Sequence, residues 1–142
     1  MIYVHSILKQ KATPIYSVSP EHTVYEALEI LALKEIGAVL VMDGTKLVGI
    51  FSERDYARKL ILKGFHSKDT LVKELMTKAP IVVSPNTTII ECMSLMTDKR
   101  IRHLPVTEGD KVVGIVTIGD VVNTFIKSQD ETIKSLEGYI HG

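Results

Sequence analysis

Shifted against itself by 65 positions without a gap, the chain lays Ser19-Pro20 on Ser84-Pro85, Gly44 on Gly109, Gly49 on Gly114 and Asp55 on Asp120. Residues 19–61 match residues 84–126 at 14 of 43 positions, and many other pairs exchange like for like, such as Val24 with Ile89 and Leu31 with Met96. The chain is therefore a duplication, and each copy must form the same unit. Two units do not make an open-ended solenoid, which needs three or more stacked repeats to cover its faces. Two halves closing on each other is the natural arrangement. The total of 142 residues suits one ordinary domain rather than two large independent ones.

Each copy begins with a short run near Pro14-Ile15 or Pro80-Ile81 that ends at Ser-Pro. A helix start follows, Thr23-x-x-Glu26 and again Thr88-x-x-Glu91. The threonine can accept from a free first-turn amide while the glutamate reaches back to the cap's own amide. Behind it, Val24, Ala27, Leu28, Leu31 and Ala32 keep the spacing of one buried helical face, repeated by Ile89, Cys92, Met93 and Met96. Two β-rich runs around a glycine turn predict a hairpin over Ala38 to Phe51, with Leu104 to Val116 as its counterpart. Pro105 cannot donate to a ladder, so its strand should be an edge or irregular there. A second helix closes each copy, near Glu53 to Lys63 and Ile118 to Lys127.

The predicted order is strand, helix, strand, strand, helix, twice, an α/β (α+β) fold class. Repeat one covers about 7–63, a polar connection about 64–74, repeat two about 75–127, and a tail 128–142. In the tail, Ile133, Leu136 and Ile140 keep helical spacing, so the last helix could extend and pack on a partner subunit, although such spacing more often marks ordinary core.

Composition narrows the function classes. Seventeen basic residues cancel seventeen acidic ones, leaving no overall positive field to recruit nucleic acid or anionic lipid. With 45% hydrophobic residues the chain can bury a real core. The single cysteine, Cys92, cannot form an internal disulfide, and no Cys/His spacing resembles a metal site, which together point to a reducing cytoplasm. No stretch reads as a signal peptide or a membrane span. Catalytic motifs are missing too: there is no Gly-x-Ser-x-Gly, Walker-type loop, His-Glu-x-x-His or cysteine pair. The expectation is a protein that is not an enzyme.

Each hairpin ends in the same phrase, Gly49-Ile50-Phe51-Ser52-Glu53-Arg54-Asp55 and Gly114-Ile115-Val116-Thr117-Ile118-Gly119-Asp120. Ser52 and Thr117 can be plain N-caps, with Asp55 and Asp120 complementing the helix dipole. The same geometry also offers an anion free amides, and offers two adjacent ribose hydroxyls a carboxylate. A nucleotide has both features, and the identical placement in two copies sharpens that reading.

Here the sequence resembles the cystathionine-β-synthase (CBS) domain pair, or Bateman module, from about Ile7 to Ile126. The resemblance rests on the Ser-Pro-x-x-Thr helix starts, the phrase Ile101-Arg102-His103-Leu104-Pro105-Val106, the glycine hairpins and both Ser/Thr-x-x-Asp endings. It implies two CBS repeats packed through their sheets about a pseudo-two-fold axis, with two clefts that bind adenine nucleotides or related adenosyl ligands. It further implies that Asp55 and Asp120 hold ribose hydroxyls with Ser52 and Thr117 close by. Segments Ile15 to Ser17 and Ile81 to Val83 would border the adenine, and Pro105 would belong to the same wall. Arg102 and His103 stand where family members present basic groups to phosphate, whereas the first copy has Gly37-Ala38, so the two sites should be unequal. Arg54 and Arg100 could add charge, although solvated surface roles fit Arg54 and Arg102 equally well.

The resulting expectation is a stand-alone regulatory module for AMP, ADP, ATP or NAD(H), an energy or redox sensor acting as a homodimer on an unknown regulated protein. Two alternatives stay open. One is a structural or interaction protein that leaves its clefts unused, and the other is a binder of an adenosyl ligand such as S-adenosylmethionine, which would leave Arg102 and His103 idle.

Overall fold

The computed structural model describes residues 1–12 and 14–141, with His141 in its backbone only; Gly142, the last residue of the expected tail, lies outside the described residues. Thr23 caps α2 (Val24–Lys34) as the sequence pattern predicts: its hydroxyl accepts from the Glu26 amide at 3.1 Å while Glu26 reaches back to the Thr23 amide. Thr88 caps α5 (Ile89–Lys99) by accepting from the Glu91 amide, without the reciprocal bond among the described residues. Both helices stop at a left-handed residue, Glu35 and Arg100, each with φ of 54°.

The hairpins form as β2 (Ala38–Asp43) with β3 (Lys46–Ser52), and β5 (His103–Glu108) with β6 (Lys111–Thr117). Gly44 and Gly109 turn them with φ of 63°, a conformation that costs glycine little. Each carries a register shift at the same place, Val41/Met42 and Val106/Thr107. The sheets differ around Pro105. In the first, Leu40 donates to the Tyr16 carbonyl, and β1 (Ser17–Val18) joins parallel to β2. Pro105, the counterpart of Leu40 under the 65-residue shift, has no N–H to give, and the equivalent segment is reduced to a single bridge, Val83 with Val106.

Two short helices bind the halves together. Helix α1 (Val4–Lys11), for which the sequence offers no cap, buries Val4 and Ile7 in the core of repeat two with Cys92, Met96, Leu104 and Val116. Helix α4 (Val72–Leu75), inside and just beyond the expected polar connection, buries Val72 and Leu75 in the core of repeat one with Val24, Leu31 and Phe51. The shift of 65 places Ile7 on Val72, so the duplication reaches further upstream than its identities reveal. After α4, β4 (Thr77–Lys78) pairs with β3 of repeat one. Each copy is thus clamped by a helix from the segment that leads into the other.

The second helix of repeat one departs from the predicted plain helix. It runs as α3 (Glu53–Asp55), a π-helical turn (Tyr56–Leu60) and a 3₁₀ turn (Ile61–Lys63). Its counterpart α6 (Ile118–His141) is α-helical throughout and carries the tail onward as one 24-residue helix. No helix is long and apolar enough to cross a membrane among the described residues.

Candidate functional site

The two helix-start carboxylates line two different clefts, and each cleft takes walls from both repeats. Asp55 and Ser52 of repeat one face Ala79-Pro80-Ile81 and Arg100 to His103 of repeat two, around a cleft of about 500 Å³. Asp120 and Thr117 of repeat two face Pro14, Tyr16 and Ile36 to Ala38 of repeat one, around a cleft of about 370 Å³. Both volumes fall in the range of small-molecule sites. The crossing follows from the fold, because the segment leading into each repeat passes the helix start of the other.

In the first cleft, Asp55 Oδ2 accepts from the Ser52 amide at 3.0 Å and the Ser52 hydroxyl at 3.1 Å, and the Ser52 hydroxyl accepts from the Asp55 amide. The capping reading is therefore real. It does not exhaust the carboxylate, which offers about four lone-pair sites. Oδ1 is paired with Lys59 Nζ at 3.0 Å, a residue one turn on, and Lys59 also donates to the Leu75 carbonyl. Arg54, Arg58, Arg100 and Arg102 complete the wall, so five cations stand against one carboxylate. In a chain of zero net charge, this is a strong local concentration of positive field.

The second cleft is differently charged. Asp120 Oδ2 accepts from the Thr117 amide at 3.0 Å and pairs with Lys11 Nζ at 2.9 Å, and Lys11 also donates to the Ile115 carbonyl. Burial works to raise the Asp120 pKa, but the bonds from Lys11 and Thr117 and the Lys11 charge outweigh it and hold the carboxyl below its ordinary value. Lys34 lies 5.2 Å from the Tyr16 ring centroid, and Glu35 adds a second carboxylate, giving two cations against two anions.

His103 lines both clefts. Burial, then the charges of Lys11 and Arg102, lower its pKa against a smaller opposing pull from Asp120, so the ring is neutral near pH 7. Cys92 is fully buried, and desolvation followed by the Glu91 charge pushes its thiol up to about 11, a packing group rather than a nucleophile. Among the described residues no group of three His, Cys, Asp or Glu side chains could hold a metal ion.

The remaining expected site residues are placed as follows. Arg54 and Arg102 share the Asp55 cleft, and Ile81 lines it. Ile15 lies instead beside Gly114 in a small depression, and Ser17 in another with Met42 and Glu108. Val83 and Pro105 are buried in the core of repeat two, where the Val83 amide donates to the Pro105 carbonyl at 3.0 Å. Of the two segments expected to border the ligand, Tyr16 and Ile81, which the 65-residue shift superposes, line the clefts. Lys11, Lys34, Arg58 and Lys59 were not expected. Lys59 could have been found from its i+4 spacing to Asp55, whereas Lys11 sits 109 positions from its partner and left no local signal.

Comparison with known proteins agrees with this geometry. Residues 7–62 and 72–127 each match the CBS domain family. The mitochondrial CBS domain-containing protein CBSX3 of Arabidopsis thaliana is 40% identical over 127 residues, covering 86% of this chain. The chain spans 62% of that relative's length and about a fifth of longer Arabidopsis members. Among solved structures, a CBS-domain chain from Burkholderia ambifaria is 46% identical with a TM-score of 0.84, over 89% of this chain and 96% of its own. CBSX2, solved in complex with AMP, is 30% identical with a TM-score of 0.72, over 91% and 99%. With two matched repeats, interleaved clamps and paired clefts, the chain belongs to the CBS domain family as a tandem CBS pair.

Proposed function

We propose that this CBS pair is a regulatory module that binds an adenine nucleotide in the Asp55 cleft. The observation that carries the reading is the set of five cations around a helix-start carboxylate, a charge pattern that fits a phosphate beside a ribose. Asp55 would hold the ribose hydroxyls, Arg100, Arg102 and His103 the phosphate, and Ala79-Pro80-Ile81 the edge of the adenine. The AMP bound by CBSX2, a protein that this chain covers almost completely, supports the ligand class. The relatives CBSX3 and CBSCBSPB2 are named for their CBS domains, in keeping with a regulatory module. Because each cleft draws walls from both repeats, occupancy would favour one relative packing of the repeats over another, which is how binding becomes a signal. The module would act as a homodimer, using helix faces that leave Leu33, Ile90 and Val122 exposed.

A second reading applies to the Asp120 cleft alone. Its balanced charges and the small Gly37-Ala38 wall suit an adenosyl ligand with little or no phosphate.

A thermal-shift panel of AMP, ADP, ATP, NAD, NADH, adenosine and S-adenosylmethionine tests both readings. A ligand at a hundred times its dissociation constant stabilises by about 2.7 kcal/mol. The expected result is a phosphate-dependent shift that Asp55→Ala removes and Asp120→Ala largely spares. Equal shifts in wild type and both variants would overturn ribose recognition by these carboxylates.

A further inference from the structure

Helix α6 leaves the body of the protein after Phe125. Every residue from Gln129 to Tyr139 is exposed, and so is Ile140, so more than three helical turns stand without a tertiary partner among the described residues. Such a segment is marginal alone in water. Its apolar residues are not scattered. Val122, Ile126, Gln129, Ile133, Leu136 and Ile140 alternate steps of four and three, with Ile126, Ile133 and Ile140 seven apart. This is the a/d seam of a coiled coil, with isoleucine at every a position and valine, glutamine and leucine at d. Ile133 is 52% exposed, Leu136 58% and Ile140 74%. The seam lies mostly beyond residue 127, where the CBS match ends, so the family fold does not account for it.

We infer that residues 122–140 of α6 pair with the same helix of a second copy as a parallel, in-register, two-stranded coiled coil. Three observations favour a second copy over another partner. The β-branched a positions with Leu136 at d favour two parallel strands. Asp130 and Glu137 occupy the e positions, where an antiparallel pair would set like charges against each other, whereas a parallel pair sets them against Phe125 and Thr132. The seam is continuous with Val122, exposed where the helix still touches the body, and with Ile126 one turn on, so pairing would extend along the module. Gln129, the one polar layer, meets its own copy across the axis and fixes the register.

This deepens the homodimer reading and rests on it, and the test separates the two. Sedimentation equilibrium should give a dimer whose dissociation constant rises at least tenfold in Ile133→Asn/Leu136→Asn, with circular dichroism confirming an intact body. Gln129→Cys and Leu136→Cys, made separately, should each cross-link to themselves under mild oxidation, with buried Cys92 as an internal control. An antiparallel pair can satisfy at most one of these two positions. A dimer that fails to cross-link at both overturns the coiled coil and leaves the homodimer standing. A monomer mass overturns both, including the case in which the monomer instead sediments with anionic lipid vesicles.

Discussion

The two repeats share a backbone plan and differ in the residues they turn toward the opposite cleft. At positions superposed by the duplication, repeat one offers Glu35, Gly37 and Ala38, and repeat two offers Arg100, Arg102 and His103. Glu35 and Arg100 are both left-handed helix ends with the same φ, so identical geometry presents a carboxylate to one cleft and a guanidinium to the other. The lysine paired with each carboxylate also differs in origin. Lys59 comes from the π-helical turn of the same copy as Asp55, and its counterpart Thr124 instead bonds the Asp120 carbonyl, leaving Lys11 to reach Asp120 from the crossing segment. A duplicated fold can thus build two pockets on one backbone plan and differentiate them through a few side chains at helix and strand ends.

The largest break in this asymmetry is to give repeat two the residues of repeat one. Arg100→Glu/Arg102→Gly/His103→Ala should weaken AMP binding by calorimetry about a hundredfold or more, since charged hydrogen bonds are each worth about 1.5–3 kcal/mol. Adenosine binding should change much less. An equal loss for adenosine would show that these residues shape the cleft instead of reading phosphate.

A second contrast concerns the crossings. A Cβ at Gly49 would come within 2.6 Å of Met76 Sδ and 2.9 Å of the Thr77 carbonyl oxygen, whereas one at Gly114 would meet only the flexible end of Leu8 at 2.5 Å. Backbone yields less easily than a side-chain tip. Gly49→Ala should therefore cost about 2–3 kcal/mol in urea unfolding and Gly114→Ala about 1 kcal/mol. The reverse order would mean that the two clamps are not built as described.

His103 sharpens the comparison through pH. Its lowered pKa leaves it neutral in the free protein, and a bound phosphate favours its protonated form, so binding takes up a proton. AMP affinity should rise about threefold from pH 8 to 6.5, an effect on the order of 0.6 kcal/mol. Measuring His103→Gln over the same range subtracts the nucleotide's own titration, and an unchanged slope would remove His103 from the phosphate site.

A comparably small effect belongs to Lys11. Asp120 has a depressed pKa, so its pairing contributes stability above the ordinary carboxylate pKa that is lost as pH falls through the folded value. Lys11→Met should flatten acid unfolding below about pH 4 and lower stability at pH 7 by under about 1 kcal/mol, because the pair is about a quarter exposed and screened.

Much of this structure was readable locally. The Thr23 and Thr88 caps, the glycine hairpins and the Ser/Thr-x-x-Asp helix starts are set by residues within a turn of one another, and each forms, although Thr88 lacks the return bond from Glu91 among the described residues. The failures are equally physical. Helix α1 has no side-chain cap and exists because Val4 and Ile7 find the core of repeat two. The π-helical turn after Asp55 has no counterpart in repeat two, although the two copies share the pattern leading into it.

The sequence by itself determined that there are two copies, that each places a carboxylate at a helix start, and that the basic residues Arg100, Arg102 and His103 belong to one copy only. Only the tertiary structure decided which carboxylate those cations serve. Arg100 and Arg102 face Asp55 of the other repeat while His103 lines both clefts, because the leading segments cross between the halves, and no periodicity within one copy records a contact made across the pseudo-symmetric interface.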